Sequence, residues 1–275
     1  MVSGQLLTHI APTRGLRLLN FSELWQYREL FWAFVIRDLK VRYKQTLIGG
    51  LWAILQPLST MVVFSIFFGT IANISSEGVP YPIFSYAGLI LWTYFTTSLT
   101  ASSNSMVGAS SLITKVYFPR IIIPLSATLT GLVDYAVASL ILALLLVYYS
   151  IIPPLSIVFL PLLIILTWIL VSGIGLFLSA LNVKYHDVKY VVPFFVQLML
   201  FFTPVIYPIS IAPNYKHLLL LNPMTGIIEF HRGIILGNVA LNWVGLGIST
   251  LITVITFFVG ALYFRSVEKY FADII

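Results

Sequence analysis

The sequence predicts an all-α membrane protein: six transmembrane helices, an N-terminal amphipathic interface helix, and short re-entrant gate helices between spans five and six. Three observations predict it. First, 59% of the 275 residues are hydrophobic and only 9% are charged, with a mean hydropathy of +0.99. A soluble chain carries about a quarter charged residues, so this one has too few charges to cover a water-facing surface. Second, six apolar stretches approach or exceed the roughly 20 residues that cross a hydrocarbon core. They cover 51–73, 84–105, 121–147, 155–181, 191–209 and 243–264, each bounded by Pro, Gly or charge. Third, with both termini on one side, 13 of the 15 Lys and Arg residues fall on that side, leaving only Lys216 and Arg232 opposite. The positive-inside rule makes the crowded side cytoplasmic.

Each element follows in order. No secretory signal is expected in residues 1–46, which hold seven cations and no clean apolar core with a cleavage site. These residues read as a cytoplasmic N-terminus, and 47–275 as the membrane-spanning domain. Residues 21–44 predict a helix: Asn20 and Glu23 resemble a capping box, and Leu24, Tyr27, Phe31 and Phe34 recur at helical spacing. The run 30–36 is apolar but too short to span, so the helix should lie in the headgroup region and rim the cytoplasmic entrance. Arg37, Lys40, Arg42 and Lys44 then orient span one and contact anionic headgroups, at about 1 kcal/mol per cation.

Between spans two and three, GASSLITKVYFPR (108–120) should begin as a short helix and stop by Pro119. Leu112, Ile113, Val116 and Tyr117, with the single cation Lys115, give it an apolar face suited to a protein contact, or to a turn that dips into the membrane. The loop 182–190 reads as a solvated turn. Span five is the shortest and carries Pro193, Pro204 and Pro208, so a break near its outer end is expected. The stretch 205–242 is too polar to span and too apolar for a wet loop. It predicts two short helices interrupted at Asn222-Pro223, the pattern of a re-entrant outer gate. Glu229, His231 and Arg232 in its second piece are expected to pair with each other or face water.

Several chemistries are absent. There is no cysteine, hence no disulfide or thiolate metal site, and no metal centre is expected. No GxxxxGKS/T, HExxH or GxSxG motif occurs, so nothing here marks a nucleotide-binding loop, a zinc protease or a serine hydrolase. Asp134 is the one clear ionisable residue inside the predicted spans. It is read as a structural acid bonded to a neighbouring span, with a substrate contact as the alternative; ion-driven transporters place several acids at mid-membrane, and one is thin support for that. The chain is instead rich in aromatics: 20 Phe, 15 Tyr and 6 Trp. Most suit interface belts. Trp52, Phe194, Phe195, Phe201, Phe202 and Tyr207 are candidates to line a pore. Gly175 with Ser179, and Gly245 with Ser249, are candidate helix-packing seams. Six spans make a small pore, which favours a pathway between two copies.

The motifs RYKQTLIGGLWAILQP, LITKVYFPRIIIPLS, YHDVKYVVPFFVQLMLFFTPVIYP and LNPMTGIIEFHRGIILG, in that order over residues 20–270, resemble the type-2 ABC exporter permeases that move polysaccharides: O-antigen, capsule and teichoic acid. The resemblance implies a homodimer in the bacterial inner membrane with both termini cytoplasmic. It implies two copies of a separate cytoplasmic ATP-binding cassette subunit, which would bind ATP and Mg, so that this chain holds no cofactor and is not itself an enzyme. It implies a polymer on undecaprenyl-pyrophosphate as substrate, and no nucleic acid. Leu112, Ile113, Lys115, Val116 and Tyr117 would be the ATPase-coupling segment. Arg37, Lys40, Arg42 and Lys44 would hold the lipid pyrophosphate. Asn222, Pro223, Glu229 and Arg232 would belong to the outer gate. A lipid or drug exporter of the same superfamily is the alternative, although the short link after span one argues against one with a large outer domain. A membrane transferase would need convergent acids or histidines, which the sequence does not show.

Overall fold

The computed structural model describes residues 21–44, 49–237 and 241–271. Arg14, Arg17 and Asn20, the expected N-cap, lie outside them. The described chain is helical throughout, with no strand among the described residues. The interface segment forms two pieces, α1 (Phe21–Gln26) and α2 (Arg28–Lys44), where the sequence suggested one. The chain re-enters through a single 3-10 turn (Gly49–Leu51), α3 (Trp52–Phe64) and a π-helical stretch (Ser65–Ile71). Next come α4 (Tyr81–Gly108), the one-turn α5 (Ser110–Ile113), α6 (Ile122–Tyr148) and α7 (Leu160–Lys184). The remainder comprises α8 (Val188–Phe202), the short α9 (Lys216–Leu220), α10 (Pro223–Leu236) and α11 (Trp243–Glu268).

Among the described residues, four stretches are long and apolar enough to cross a membrane: Gly49–Ile71, Ile122–Tyr148, Leu155–Lys184 and Trp243–Glu268. The chain is therefore a multi-pass membrane protein. Helix α4 has 28 residues, about 42 Å at 1.5 Å per residue, but is less apolar because hydroxyl side chains interrupt it. Helix α8 has 15 residues, about 22 Å, short of the roughly 30 Å hydrocarbon. The expected break follows it: the chain leaves the helix at Thr203 and resumes only as 3-10 turns at Ile209–Ile211 and Pro213–Tyr215.

Two apolar clusters hold the bundle. The larger unites α4 with α6, α7, α8 and α10, around Ile83, Tyr86, Tyr94, Leu170, Ile227 and Phe230. The smaller gathers Phe34 of α2, Met106, Ile113, Phe118, Ile121, Val183 and Phe264. Its members come from the end of α4, the start of α6 and the ends of α7 and α11, so these termini share one end of the bundle. Lys115, Arg120, Lys184, Arg265 and Lys269 belong to the same segments. This is the basic end. Helices pack most closely where side chains vanish: a Cβ at Gly260 of α11 would lie 2.0 Å from the carbonyl oxygen of Gly173 in α7. Of the seams suggested by sequence, Gly175 abuts Ser102 of α4, while Gly245 and Ser249 abut Gly226 of α10. Close backbone approach of this kind holds helices together where lipid and core are equally apolar.

Candidate functional site: a polar groove between two polar ends

At the basic end, α2 lies across the bundle with Phe34 and Val35 buried while Trp32, Ile36 and Val41 stay exposed. Apolar side chains on a solvent-facing helix suit a headgroup layer better than water. Phe34 meets Phe118 edge-on at 5.6 Å, which fixes α2 beside the turn that follows α5. The four cations Arg37, Lys40, Arg42 and Lys44 do not act alike. The Arg37 guanidinium is spent on Asp38 at 2.7 Å. Arg42 reaches Asp134 of α6 at 2.5 Å, and the Tyr43 hydroxyl donates to the same carboxylate. Burial, with that carboxylate beside it, pushes the Tyr43 hydroxyl up to about 12. Lys40 and Lys44 remain exposed. Asp134 is thus the acid that docks α2 on a neighbouring helix.

The turn 108–120 forms a short helix in its first half, as expected, but is less exposed than its sequence suggested. Helix α5 ends at Ile113, well before Pro119. Ile113 is buried and Leu112 packs against the same cluster, because the first turn inserts into the cluster around Phe34 and Phe118. The exposed face is therefore Lys115, Val116 and Tyr117, the last two at 53% and 72% exposure. Arg120 secures the far side by donating to the Glu268 carbonyl at 2.6 Å, and Glu268 also pairs with Arg265 at 2.9 Å.

Between α3, α4 and α8 runs an open groove of about 580 Å³. Its floor is α4. From Ile83 to Ser103 the only residues of α4 not buried are Thr93, Thr96, Thr97, Thr100 and Ala101, one helical face. Gln56 and Thr60 of α3 and Gln197 of α8 form the walls, and Arg42 stands at one end. A smaller recess of about 200 Å³ adjoins, lined by Arg42, Tyr43, Trp52, Gln56 and Asp134. A span whose sole open face is hydroxylated is not built to face acyl chains.

Sequence reasoning missed this stripe. The signal was present in TYFTTSLTASSN (93–104), where Thr93, Thr97, Thr100 and Asn104 recur at three- and four-residue spacing. The six aromatics singled out instead do not converge. Trp52 lines the small recess. Phe194, Phe201 and Phe202 point off α8 with more than half their surface exposed. Phe195 faces a separate apolar groove against α4 and α7, and the Tyr207 hydroxyl donates back to the Phe201 carbonyl at 3.1 Å.

At the opposite end, Asn222 caps α10 by accepting from the Met224 amide at 3.0 Å and also donates to the Thr203 hydroxyl at 2.8 Å. Pro223 occupies the first helical position, where its missing N–H costs nothing. The expectation that Glu229, His231 and Arg232 pair mutually or face water is not met. Glu229 accepts from Asn242 at 3.2 Å. His231 meets the Tyr135 hydroxyl at 2.8 Å through Nε2. Arg232 is buried, stacked over Phe84 at 3.8 Å. It donates to three carbonyls: Phe84 at 3.1 Å, Pro204 at 2.6 Å, and Val205. The Tyr81 hydroxyl donates to the next one, Ile206, at 2.8 Å. Unwinding α8 frees carbonyls that no helix can satisfy, and side chains from α10 and α4 satisfy them. This explains a buried cation that makes no direct ion pair among the described residues.

The profile of the ABC-2 type transporter family matches residues 29–236. The O-antigen export system permease protein RfbA of Myxococcus xanthus is 30% identical over 216 residues, 77% of this chain and 82% of that protein. An RfbA of Klebsiella pneumoniae is 31% identical over 242 residues, 87% of this chain and 92% of that one. The polysialic acid transport protein KpsM of Escherichia coli is 26% identical over 250 residues, 86% of this chain and 93% of its own. The docked basic helix, the hydroxylated groove and the buried helix α10 belong to a chain that aligns with permeases almost end to end; it is a member of the ABC-2 type transporter family.

Proposed function

We propose that this chain is the membrane subunit of an ATP-driven exporter that carries a lipid-linked polysaccharide, most simply an O-antigen, across the bacterial inner membrane. The similarity to O-antigen export permeases over nearly the full length of both chains supports this reading. The similarity to KpsM supports a capsule-type polymer as the second reading. On this proposal α4 and α8, with its continuation to 211, complete six spans, and both termini are cytoplasmic. Residues 1–46 form the cytoplasmic segment and 47–275 the permease domain. Two copies pair, and two separate ATPase subunits bind ATP and Mg beneath them.

The roles follow from placement. Lys115, Val116 and Tyr117 offer the ATPase a small apolar face with one cation, and Leu112 and Ile113 root that face in the bundle. Lys40 and Lys44 are available for the incoming pyrophosphate, as point charges suited to phosphate oxygens. Arg37 and Arg42 can join them by exchanging Asp38 and Asp134 for the ligand. Asn222, Pro223, Glu229 and Arg232 belong to the outer gate, and the exposed Phe194, Phe201 and Phe202 of α8 are open to a path completed by the second copy.

Deleting the gene in its source organism tests the function. Surface polysaccharide should disappear while polymer accumulates inside, and a plasmid copy should restore export. Undiminished surface polymer in the deletion strain would end this reading. Co-expressed with the ATPase encoded beside it, the chain should also copurify as a complex that hydrolyses ATP.

A further inference from the structure

The geometry points to a hydrogen-bonding ladder on α4, Thr96, Thr97 and Thr100 with Gln56 and Gln197 opposite, as a binding surface for polyhydroxylated ligand, that is, for sugar units of the exported chain. This rests on the proposed polysaccharide function and names the part of the molecule that touches sugar.

Four observations carry it. Between Ile83 and Ser103 the only positions of α4 left open are four threonines and one alanine, and all five border the groove. The hydroxyl protons of Thr96, Thr97 and Thr100 are already committed. Thr97 donates to the Thr93 carbonyl at 2.8 Å, Thr96 to the same carbonyl at 3.1 Å, and Thr100 to the Thr96 carbonyl at 2.8 Å. Thr60 on the facing helix does likewise, donating to Gln56 at 2.9 Å. A hydroxyl that has given its proton to its own helix presents lone pairs to the cavity. The groove therefore shows a ligand a row of hydroxyl acceptors on α4 and, opposite, two amides that both accept and donate, and the matching ligand is rich in O–H groups and uncharged over its length.

The spacing also fits a repeating ligand. Residues three and four apart on one helix face stand about 5 to 6 Å from one another, close to the length of a hexose ring. Each contact is individually weak, which suits a chain that must slide. The ladder is distinct from the cations of α2: those meet charge at one end of the groove, and the threonines meet neutral hydroxyls along it.

The test uses the full chain with its ATPase in the source organism. Thr97→Val with Thr100→Val keeps the shape of both side chains and removes two acceptors. Surface polysaccharide should fall about tenfold, the loss of one to two net hydrogen bonds at each position a sugar occupies. Membrane level, copurification with the ATPase and basal ATP hydrolysis should stay unchanged. Thr97→Ser with Thr100→Ser, which keeps the oxygens, should restore export. Wild-type export by the valine variant, in a background where deletion of the gene abolishes export, overturns the ladder and leaves the function standing. Loss of copurification or membrane level in the valine variant, or failure of the serine variant to restore export, also overturns it, because the threonines would then be packing surface. A deletion strain that still exports removes the function and the ladder together.

Discussion

Arg232 shows how a single side chain can hold an irregular segment in a membrane bundle. It bonds Phe84, Pro204 and Val205 through their carbonyls, and its guanidinium has room only because residue 88 lacks a Cβ, which would lie 2.4 Å from Nη2. Lysine cannot replace it, since one ammonium cannot match a planar fork aimed at three acceptors. Arg232→Met should lower unfolding free energy by about 3 kcal/mol or more, each stranded buried carbonyl costing about 1 to 3 kcal/mol. Thermal unfolding in detergent, followed by fluorescence size-exclusion, measures this. Gly88→Ala should act on the same contact, so the double variant should lose much less than the sum of the two single losses. At the other end, Tyr43 and Arg42 share Asp134. With the Tyr43 hydroxyl moved from 10.0 to about 12, its contribution to docking α2 is complete below pH 10 and is lost as pH rises through about 12. Tyr43→Phe should abolish that alkaline step in protease accessibility of α2, and leave the Arg42 contact in place.

Among the elements, the α5 turn separates anchoring from contact. Ile113 is 5% exposed and Tyr117 72%, four residues later. Ile113→Ala opens a cavity and should cost about 2 to 4 kcal/mol of stability. Val116→Glu with Tyr117→Ala should leave the melting temperature within about 2 °C, the small range usual for surface changes. On the proposed role, those two changes should nonetheless remove the copurifying ATPase. Elsewhere α7 and α11 cross at Gly173 and Gly260 with no room for a methyl group. Gly260→Val should therefore force the pair apart and yield aggregated protein in detergent, read as void-volume elution.

For the whole molecule, the absence of cysteine makes topology directly measurable without removing native thiols. His186→Cys, in the turn between α7 and α8, should resist a membrane-impermeant maleimide in intact cells and react after permeabilisation. Lys216→Cys, beyond the end of α8, should react in intact cells. Reaction of both, or of neither, would refute a membrane crossing through α8.

The four long apolar helices were readable because length and apolarity are local properties that a bilayer tests segment by segment; charge placement, also local, indicated which ends lie together. The broken end of α8 was readable from Pro204 and Pro208, and α10 from Asn222-Pro223. Reading stopped at orientation. Lipid and protein core are equally apolar, so a run of Leu, Ile and Phe carries no mark of which face is buried. That is why the aromatics of α8 drew notice while the threonines of α4 did not, and why Ile113 was expected outside. It is also why Arg232 was expected at water. Composition and order were enough to require a multi-pass helical bundle with one basic end. Only three-dimensional packing decided that Arg42 is held by Asp134, that Arg232 closes the end of α8, and that α4 turns its single hydroxylated face to an open groove, because those outcomes depend on partners 28 to 148 residues away in some cases and on which helix faces meet.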